Sequence, residues 1–367
     1  MKVLHITNWY PSKSNPYGAL WIKRHIDALP NSVESQIYHL EVKKGRLGFQ
    51  YSSNAGNHRS FIISFPFLIW KFNEILYYLM VSYVMLTKVK KSNYDVINFH
   101  IAYPLLRYFD IIPHVKKIPI IISEHWSAYH YHFNLRGSYK LKAIQRIFNH
   151  RVPVITVSKS LGEDIMAFSG GAFENHVLPN VVDTSLFFPC ESVSLKQNYF
   201  LMVSQWKAPK LPLVAIKAFK KFVNEHQGFR LLIIGYGEQL QEMKMEASDI
   251  PAVEFLGSKS SQEIAQYMRE ARALIHPSEY ETFSVVCAEA LTCGCPVIAS
   301  KVGGIQEFVN DNNGILLEET TPSAIEKAMK QILLHPPQMR IMPDFSSKRI
   351  GTEYLEIIEK VKNGPLR

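Results

Sequence analysis

The sequence predicts an α/β protein of two doubly wound domains, and three observations carry that prediction. Its 367 residues, 47 % hydrophobic and 20 % charged, suffice for two cores of ordinary size. Short β-branched runs alternate with helical periodicities along most of the chain, the pattern of parallel strands joined by crossover helices. The alternation breaks once, over VVDTSLFFPCESVSLKQN (181–198), and then resumes.

In the first block, KVLHIT (2–7), DVINFH (95–100) and IPIIIS (118–123) read as buried parallel strands, short, β-branched and followed by turn or polar residues. Gly, Ser and Asn crowd KKGRLGFQYSSNAGNHRS (43–60), which predicts a mobile loop. Lys71 and Glu74 interrupt the apolar segment 61–91. They leave about a dozen apolar residues, short of the roughly 18–20 a membrane span needs. That segment predicts a buried helix, with contact to a membrane surface as the alternative. In the second block the strands are YFLMVS (199–204), RLLIIG (230–235), VEFLG (253–257), ALIHPS (273–278) and PVIAS (296–300), separated by helices such as LPLVAIKAFKKF and SQEIAQYMREA. Rossmann-like domains are therefore expected over 1–185 and 195–346. The helix 347–363, in the remaining 347–367, is expected to pack across both.

The net charge of +9 is unevenly spread. Residues 1–180 hold 21 basic and 10 acidic side chains, and residues 181–367 hold 20 and 22. A basic first half is the footprint expected for an anionic partner such as a membrane surface or an acidic acceptor. Four cysteines (Cys190, Cys287, Cys293, Cys295), three of them crowded into one segment, do not form a disulfide framework, and MKVLHITNWY lacks the apolar core of a signal peptide. A reducing, cytoplasmic location is expected.

The stretch HPSEYETFSVVCAEALTCGCPVIAS (276–300) carries Glu281 and Glu289. The strand before it ends at Pro277, a helix is expected to begin near Ser284 as N-cap, and Gly294 and Pro296 stop it. Glu281 then sits in the loop at the carboxyl end of the sheet, where open α/β sheets bind ligands. Glu289, about a turn into the helix, faces the same crevice. The free N–H groups of the helix start suit an anion between them. A nucleotide-sugar diphosphate has that shape. As a hydrolase dyad, the two carboxylates would stand about 10 Å apart, at or beyond the limit for inverting enzymes.

PSEYETFSVVCAEALTCGCPVIASKVGGIQEFV resembles the E-x7-E region of family 4 glycosyltransferases, retaining enzymes of the GT-B fold. VITVSKSLGEDI, LPNVVDTSLFFP, FLMVSQWKAPKLPLVAIKAF, IIGYGE and VEFLGSKSSQEIAQYM follow in the family's order. The resemblance implies two domains facing a central cleft, with the last helix crossing back to the first domain. It places Glu289 on the donor ribose, Glu281 and the backbone of Phe283, Ser284 and Val285 on the transferred sugar, and Lys210 on the diphosphate. Gln205 stands where the family carries an arginine, with Lys207 nearby as a possible substitute. Gly235 and Gly237 follow a strand as in a nucleotide-binding turn, and Gly303-Gly304 precedes a helix where backbone can approach a donor. NWYPSKSNPYGALWIKRHIDAL is similar to the family's glycine-containing loop, with the usual double glycine reduced to Gly18-Ala19. Glu124-His125 follows a strand end, where relatives carry a histidine facing the donor sugar.

His125, His130 and His132 lack metal-ligand spacing, Cys293-x-Cys295 lies in the other domain, and no Asp-x-Asp occurs. No metal or other cofactor is expected. The sequence therefore predicts transfer of a sugar from a UDP- or GDP-linked donor to a glycan or lipid-linked acceptor, in cell-surface polysaccharide or lipopolysaccharide synthesis at the inner face of a membrane. No nucleic-acid partner is expected. An epimerase or hydrolase acting on a nucleotide sugar alone, and a non-catalytic donor-binding subunit, are the alternatives.

Overall fold

A computed structural model of the chain describes residues 1–12, 15, 18–53, 57–67, 70–89, 93–113, 118–135, 139–189, 196–339 and 343–364. The chain forms two compact units, Met1–Val181 with Ser347–Arg367, and Val182–Ser346.

The first unit is an eight-stranded sheet: β1 (Lys2–Thr7), β2 (Glu34–Lys44), β3 (Gly48–Ser53), β4 (His58–Phe65), β5 (Val96–His100), β6 (Ile120–Glu124), β7 (Val154–Thr156) and β8 (Asn175–Val177). The spatial order is β3-β4-β2-β1-β5-β6-β7-β8, parallel throughout except for the antiparallel β3–β4 pair. Its helices are α1 (Leu20–Ala28), α2 (Trp70–Val84), α3 (Ala102–Leu105), α4 (Tyr139–Phe148) and α5 (Lys159–Ser169). β1, β5 and β6 are buried almost end to end, which is why they read as unbroken apolar runs. α5 begins where Ser158 accepts a hydrogen bond from the Leu161 N–H (3.0 Å) and ends at left-handed Gly170.

Two expectations fail here. Residues 43–60 are not a loop: β2 runs to Lys44, β3 follows, and β4 pairs with β2 in parallel and β3 in antiparallel. Gly48, Ser52 and Ser53, which signalled a loop, lie in β3 itself, where Phe49 and Tyr51 alternate and lay their rings against Phe61 on β4 (5.0 Å between the Tyr51 and Phe61 ring centroids). Nor is 61–91 one buried helix. Its first five residues finish β4, and α2 then continues into a π-turn at Met85–Val89, leaving Phe72, Ile75, Leu79, Tyr83 and Leu86 exposed.

The last helix, α11 (Ser347–Asn363), belongs to this unit. Ile350, Tyr354 and Ile358 enter the core formed with Val3, Val96 and Ile121. It crosses α1 so closely that a Cβ on Gly351 would stand 1.8 Å from the Ala28 carbonyl oxygen, so only glycine fits. The Asn98 side chain donates to the Tyr354 hydroxyl, and Lys362 pairs with Asp95 (2.8 Å).

The second unit is a six-stranded, all-parallel sheet of β9 (Tyr199–Gln205), β10 (Arg230–Tyr236), β11 (Val253–Gly257), β12 (Ala273–His276), β13 (Val297–Ser300) and β14 (Gly314–Leu317), in the order β11-β10-β9-β12-β13-β14. Its helices are α6 (Pro212–Glu225), α7 (Leu240–Glu246), α8 (Ser261–Glu270), α9 (Val285–Thr292) and α10 (Pro322–Leu334). α6 starts with Pro212 in its first turn and buries Ala215, Ile216, Phe219 and Phe222 at helical spacing. α8 carries a capping box between Ser260 and Glu263. The chain winds outward from β9 in one direction and from β12 in the other. The topological switch point, where such sheets leave a crevice at the strands' carboxyl ends, lies between these two strands.

Candidate active site

The loops that leave β9 and β12 flank this switch point. The first turns back as Trp206–Leu211, and backbone bonds tie it to the second: Leu211 N–H to Pro277 O (3.1 Å) and Glu279 N–H to Pro209 O (2.9 Å). The result places Lys210 beside Glu281. Their side chains form an ion pair, 18 % and 12 % exposed respectively. His276, the last residue of β12, closes the group by donating from Nε2 to the same Glu281 oxygen (2.6 Å). Burial opposes charge on Glu281, yet Lys210 and His276 outweigh it and hold the carboxyl at about 2. Burial, assisted by Lys210, lowers the His276 value from the ordinary one. At neutral pH the site thus offers an ionised carboxylate, an ammonium group and a neutral imidazole.

Gly303 locks this arrangement from behind. Its φ is +48°, a Cβ there would stand 1.8 Å from the Glu281 carbonyl oxygen, and Gly304 N–H donates to that oxygen (3.0 Å). The Gly303-Gly304 pair therefore fixes the carboxylate loop by close backbone approach. Gly235 and Gly237 are required in the same sense. At φ +127° and +152°, any Cβ would collide with the carbonyls of Ser204 and Trp206.

Ser284 occupies the N-cap position of α9, but its hydroxyl does not cap the helix. The backbone is left-handed there (φ +73°), and Oγ lies 3.2 Å from His276 Nε2 instead. Phe283 turns into the core against Phe308 and Phe345, so only its backbone is available to a ligand. Val285 opens α9, and half-buried Glu289 follows on the same helix. Gln205 ends β9 on the exposed surface, beside Tyr236 of β10, and Lys207 is exposed two residues on.

In the first unit, β1 and β5 bracket the corresponding switch point. Gly18 precedes α1, packed so tightly that a Cβ would stand 2.6 Å from the Asn15 side chain. Ala19, the residue after it, sits at φ +50°. His125 follows β6, buried between Trp21 and His25 (ring centroids 6.5 and 5.3 Å). Asn180 lies beside its ring without reaching hydrogen-bond geometry. Behind it His25 donates from Nε2 to Pro179 O (2.8 Å), and His5 and His100 share a hydrogen bond (3.1 Å). Burial, and then the neighbouring histidines, keep His100 and His125 far below the ordinary value. Glu124 accepts from the Ala102 N–H and the Tyr129 hydroxyl (both 2.6 Å), and burial raises it to about 7. It braces the loop that carries His125.

Sequence reasoning missed His276, His25, His5 and His100. For His276 and His100 the available signal was a histidine ending a mostly apolar strand, as in ALIH and VINFH, whereas His5 lies inside the strand KVLHIT and His25 inside the helix LWIKRHIDA. Cys287, Cys293 and Cys295 are buried free thiols, and burial pushes all three up to about 11–12. Cys190 lies outside the described residues. No group of three His, Cys, Asp or Glu side chains is arranged for a metal ion among the described residues.

Two family descriptions match the chain: glycosyl transferases group 1 over residues 188–348 and glycosyltransferase family 4 over residues 47–186. The chain is a family 4-type glycosyltransferase. An uncharacterized glycosyltransferase of Methanocaldococcus jannaschii is 25 % identical over 91 % of this enzyme and 88 % of its own length. Among solved structures, Anabaena Alr3699/HepE in complex with UDP and glucose superposes with a TM-score of 0.70 at 16 % identity, covering 99 % of this chain and all of that one. Sucrose-phosphate synthase from Thermosynechococcus elongatus gives 0.68 at 16 % identity over 99 % and 95 %. The enzyme has the GT-B fold. None of its described helices is long and apolar enough to cross a membrane.

Proposed function

We propose that the enzyme transfers a sugar from a nucleotide-diphosphate donor to a glycan or lipid-linked acceptor, with retention at the anomeric carbon. The reaction serves cell-surface polysaccharide or lipopolysaccharide assembly at the cytoplasmic face of a membrane. The observation that carries this reading is the Lys210–Glu281–His276 group at the switch point of the second sheet. An ionised carboxylate is an acceptor only, suited to sugar hydroxyls. Lys210 and the first N–H groups of α9 supply the positive charge and donors that a departing diphosphate requires. Glu289, further along α9, takes the ribose. No metal enters this scheme. HepE was solved with UDP, which makes a uridine donor the first to try.

A thermal-shift panel of UDP, GDP, ADP and their sugars tests the donor class, since a ligand at 100 times its Kd adds about 2.7 kcal/mol to stability. Turnover is then measured with EDTA and in Lys210→Ala. The expected outcome is a rate indifferent to chelator and lowered roughly 100- to 1000-fold by the substitution. Inactivation by EDTA with rescue by Mg²⁺ or Mn²⁺, together with a near-normal Lys210→Ala enzyme, overturns the mechanism. No shift with any nucleotide overturns the donor.

A further inference from the structure

The first unit carries an exposed apolar surface that includes none of the residues placed at the candidate site. Along α2 and its π-turn, Phe72, Ile75, Leu79, Tyr83 and Leu86 recur every three or four residues and are all exposed, while Tyr77, Met80, Val81 and Val84 of the same helix are buried. The helix is therefore apolar on both faces, which a helix covering a sheet in water does not require. Beside it, Leu47, Phe49 and Tyr51 form a second exposed stripe at the edge strand β3, with Leu47 67 % and Phe49 63 % exposed. Contiguous exposed apolar area on this scale marks a contact surface.

Between the stripes lies an open groove of 610 Å³. Its walls are Phe49 and Tyr51 of β3, Phe61 and Ile63 of β4, and Leu79 and Tyr83 of α2. Among the described residues its only two charged lining residues are cations, Arg59 and Lys88. Arg59 donates to the Tyr38 hydroxyl (2.8 Å), and neither cation has a carboxylate partner among the described residues. In sequence, Lys88 opens the run Lys88-Val89-Lys90-Lys91. In the sheet, β3 and β4 lie on the far side of β2 from β1, so the groove is remote from the loop after β1 that carries Gly18.

We infer that this face seats the enzyme on an anionic membrane, with one hydrocarbon chain of an anionic phospholipid in the groove and its phosphate between Arg59 and Lys88. The groove is apolar along its walls and cationic where it is charged, which matches an acidic amphiphile rather than a sugar or a nucleotide. The two stripes extend the apolar surface past the groove, further than one soluble ligand could cover, and the basic excess of residues 1–180 attracts the same charge at longer range. The inference deepens the membrane-side reading of the proposed function by naming its surface, and it does not depend on which donor the enzyme uses.

The test is co-sedimentation of the full chain with vesicles of phosphatidylcholine alone and of phosphatidylcholine with one third phosphatidylglycerol, at low and high salt. Binding to the anionic vesicles only, weakened by salt, is expected. The double variant Arg59→Gln/Lys88→Gln should weaken it about 30-fold, from about 1 kcal/mol per basic residue at an anionic surface. Leu79→Ser, at an exposed position, should weaken it at least tenfold by removing one apolar contact. Unfolding midpoints and UDP-induced thermal shifts are measured on the same samples and should match wild type. Equal binding to both vesicle types, no binding to either, or variants that bind like wild type overturn the inference. Binding that appears only when vesicles are doped with a polyprenyl phosphate also overturns it, assigning the groove to a lipid-linked acceptor. Vesicle binding without any nucleotide response leaves this inference standing and refutes the proposed donor instead.

Discussion

Mild acid should unfold the first unit well before the second. His5, His25, His39, His100 and His125 are all buried in the first unit, and burial lowers every one: His5 to about 3, His25 and His39 to about 4, and His100 and His125 far below the ordinary 6.5. A histidine kept neutral in the fold but free to protonate near 6.5 when unfolded makes the unfolded state bind more protons below that pH. Stability then falls as pH drops through 6.5. Between pH 7.5 and 5.5 each such residue costs about 1.4 kcal/mol, or about 7 kcal/mol for the five. Glu124 works the other way. Its carboxyl, raised to about 7, takes up a proton in the fold before the unfolded chain does, and returns about 2 kcal/mol over the same interval. Glu41 and Glu74, also raised by burial, act in its direction, while His58 and His176 act with the five. The net loss is on the order of 5 kcal/mol, against a typical domain stability of about 5–15. The second unit has one buried histidine of this kind, His276, at no more than about 1.4 kcal/mol, and its Glu281 stays ionised to about 2. Pulse proteolysis in urea at pH 7.5 and 5.5, with the surviving fragments identified by mass, separates the units. A midpoint for the first unit (1–181 with 347–367) that does not move, or that moves no more than that of residues 182–346, would refute the reasoning.

Three substitutions probe the two units more locally. Glu289→Gln is expected to weaken donor binding by about 1.5–3 kcal/mol, read as Kd by calorimetry, whereas Glu281→Gln should chiefly lower kcat; unchanged kinetics in both would remove the pair from the site. Ala19→Gly should raise the unfolding midpoint of the first unit, because relief of a left-handed alanine (about 1–2 kcal/mol) exceeds the added chain entropy of glycine (about 0.5–1 kcal/mol). A lower midpoint would show that the Ala19 methyl is worth more in packing than its backbone strain.

What the sequence disclosed follows from how each element is buried. The five strands read in the second block all appear: β9, β10, β12 and β13 are buried along most of their length and so read as apolar runs that need no partner to be recognised, while β11, the half-buried edge strand, keeps only part of that pattern in VEFLG. β7 and β8 are three residues each, too short to show a period, and β2 mixes Ser35, Gln36 and His39 into its apolar positions. β3 was hidden by composition, since Gly48, Ser52 and Ser53 outnumber the alternating Phe49 and Tyr51 within it. For α2, a buried helix and a helix apolar on both faces give the same composition, and only the fold reveals which side is covered.

The site divides in the same way. Lys210 and Glu281 stand out through their neighbours in sequence, but they are 71 residues apart, and their pairing depends on β9 and β12 lying side by side. That adjacency is also what His276 needs in order to matter. A histidine ending a strand carries no message alone, yet here it fixes one Glu281 oxygen while Lys210 holds the same atom and Gly303 presses on the backbone behind. On the proposed function, a donor diphosphate must draw Lys210 away from Glu281, since an ammonium group cannot serve both partners fully. His276 then remains as the hydrogen bond that keeps the freed carboxylate ionised and aimed at the sugar. On that function the Lys210–Glu281 ion pair holds each charge in place for its substrate partner, the ammonium group for the diphosphate and the carboxylate for the sugar, and binding would exchange one set of partners for the other.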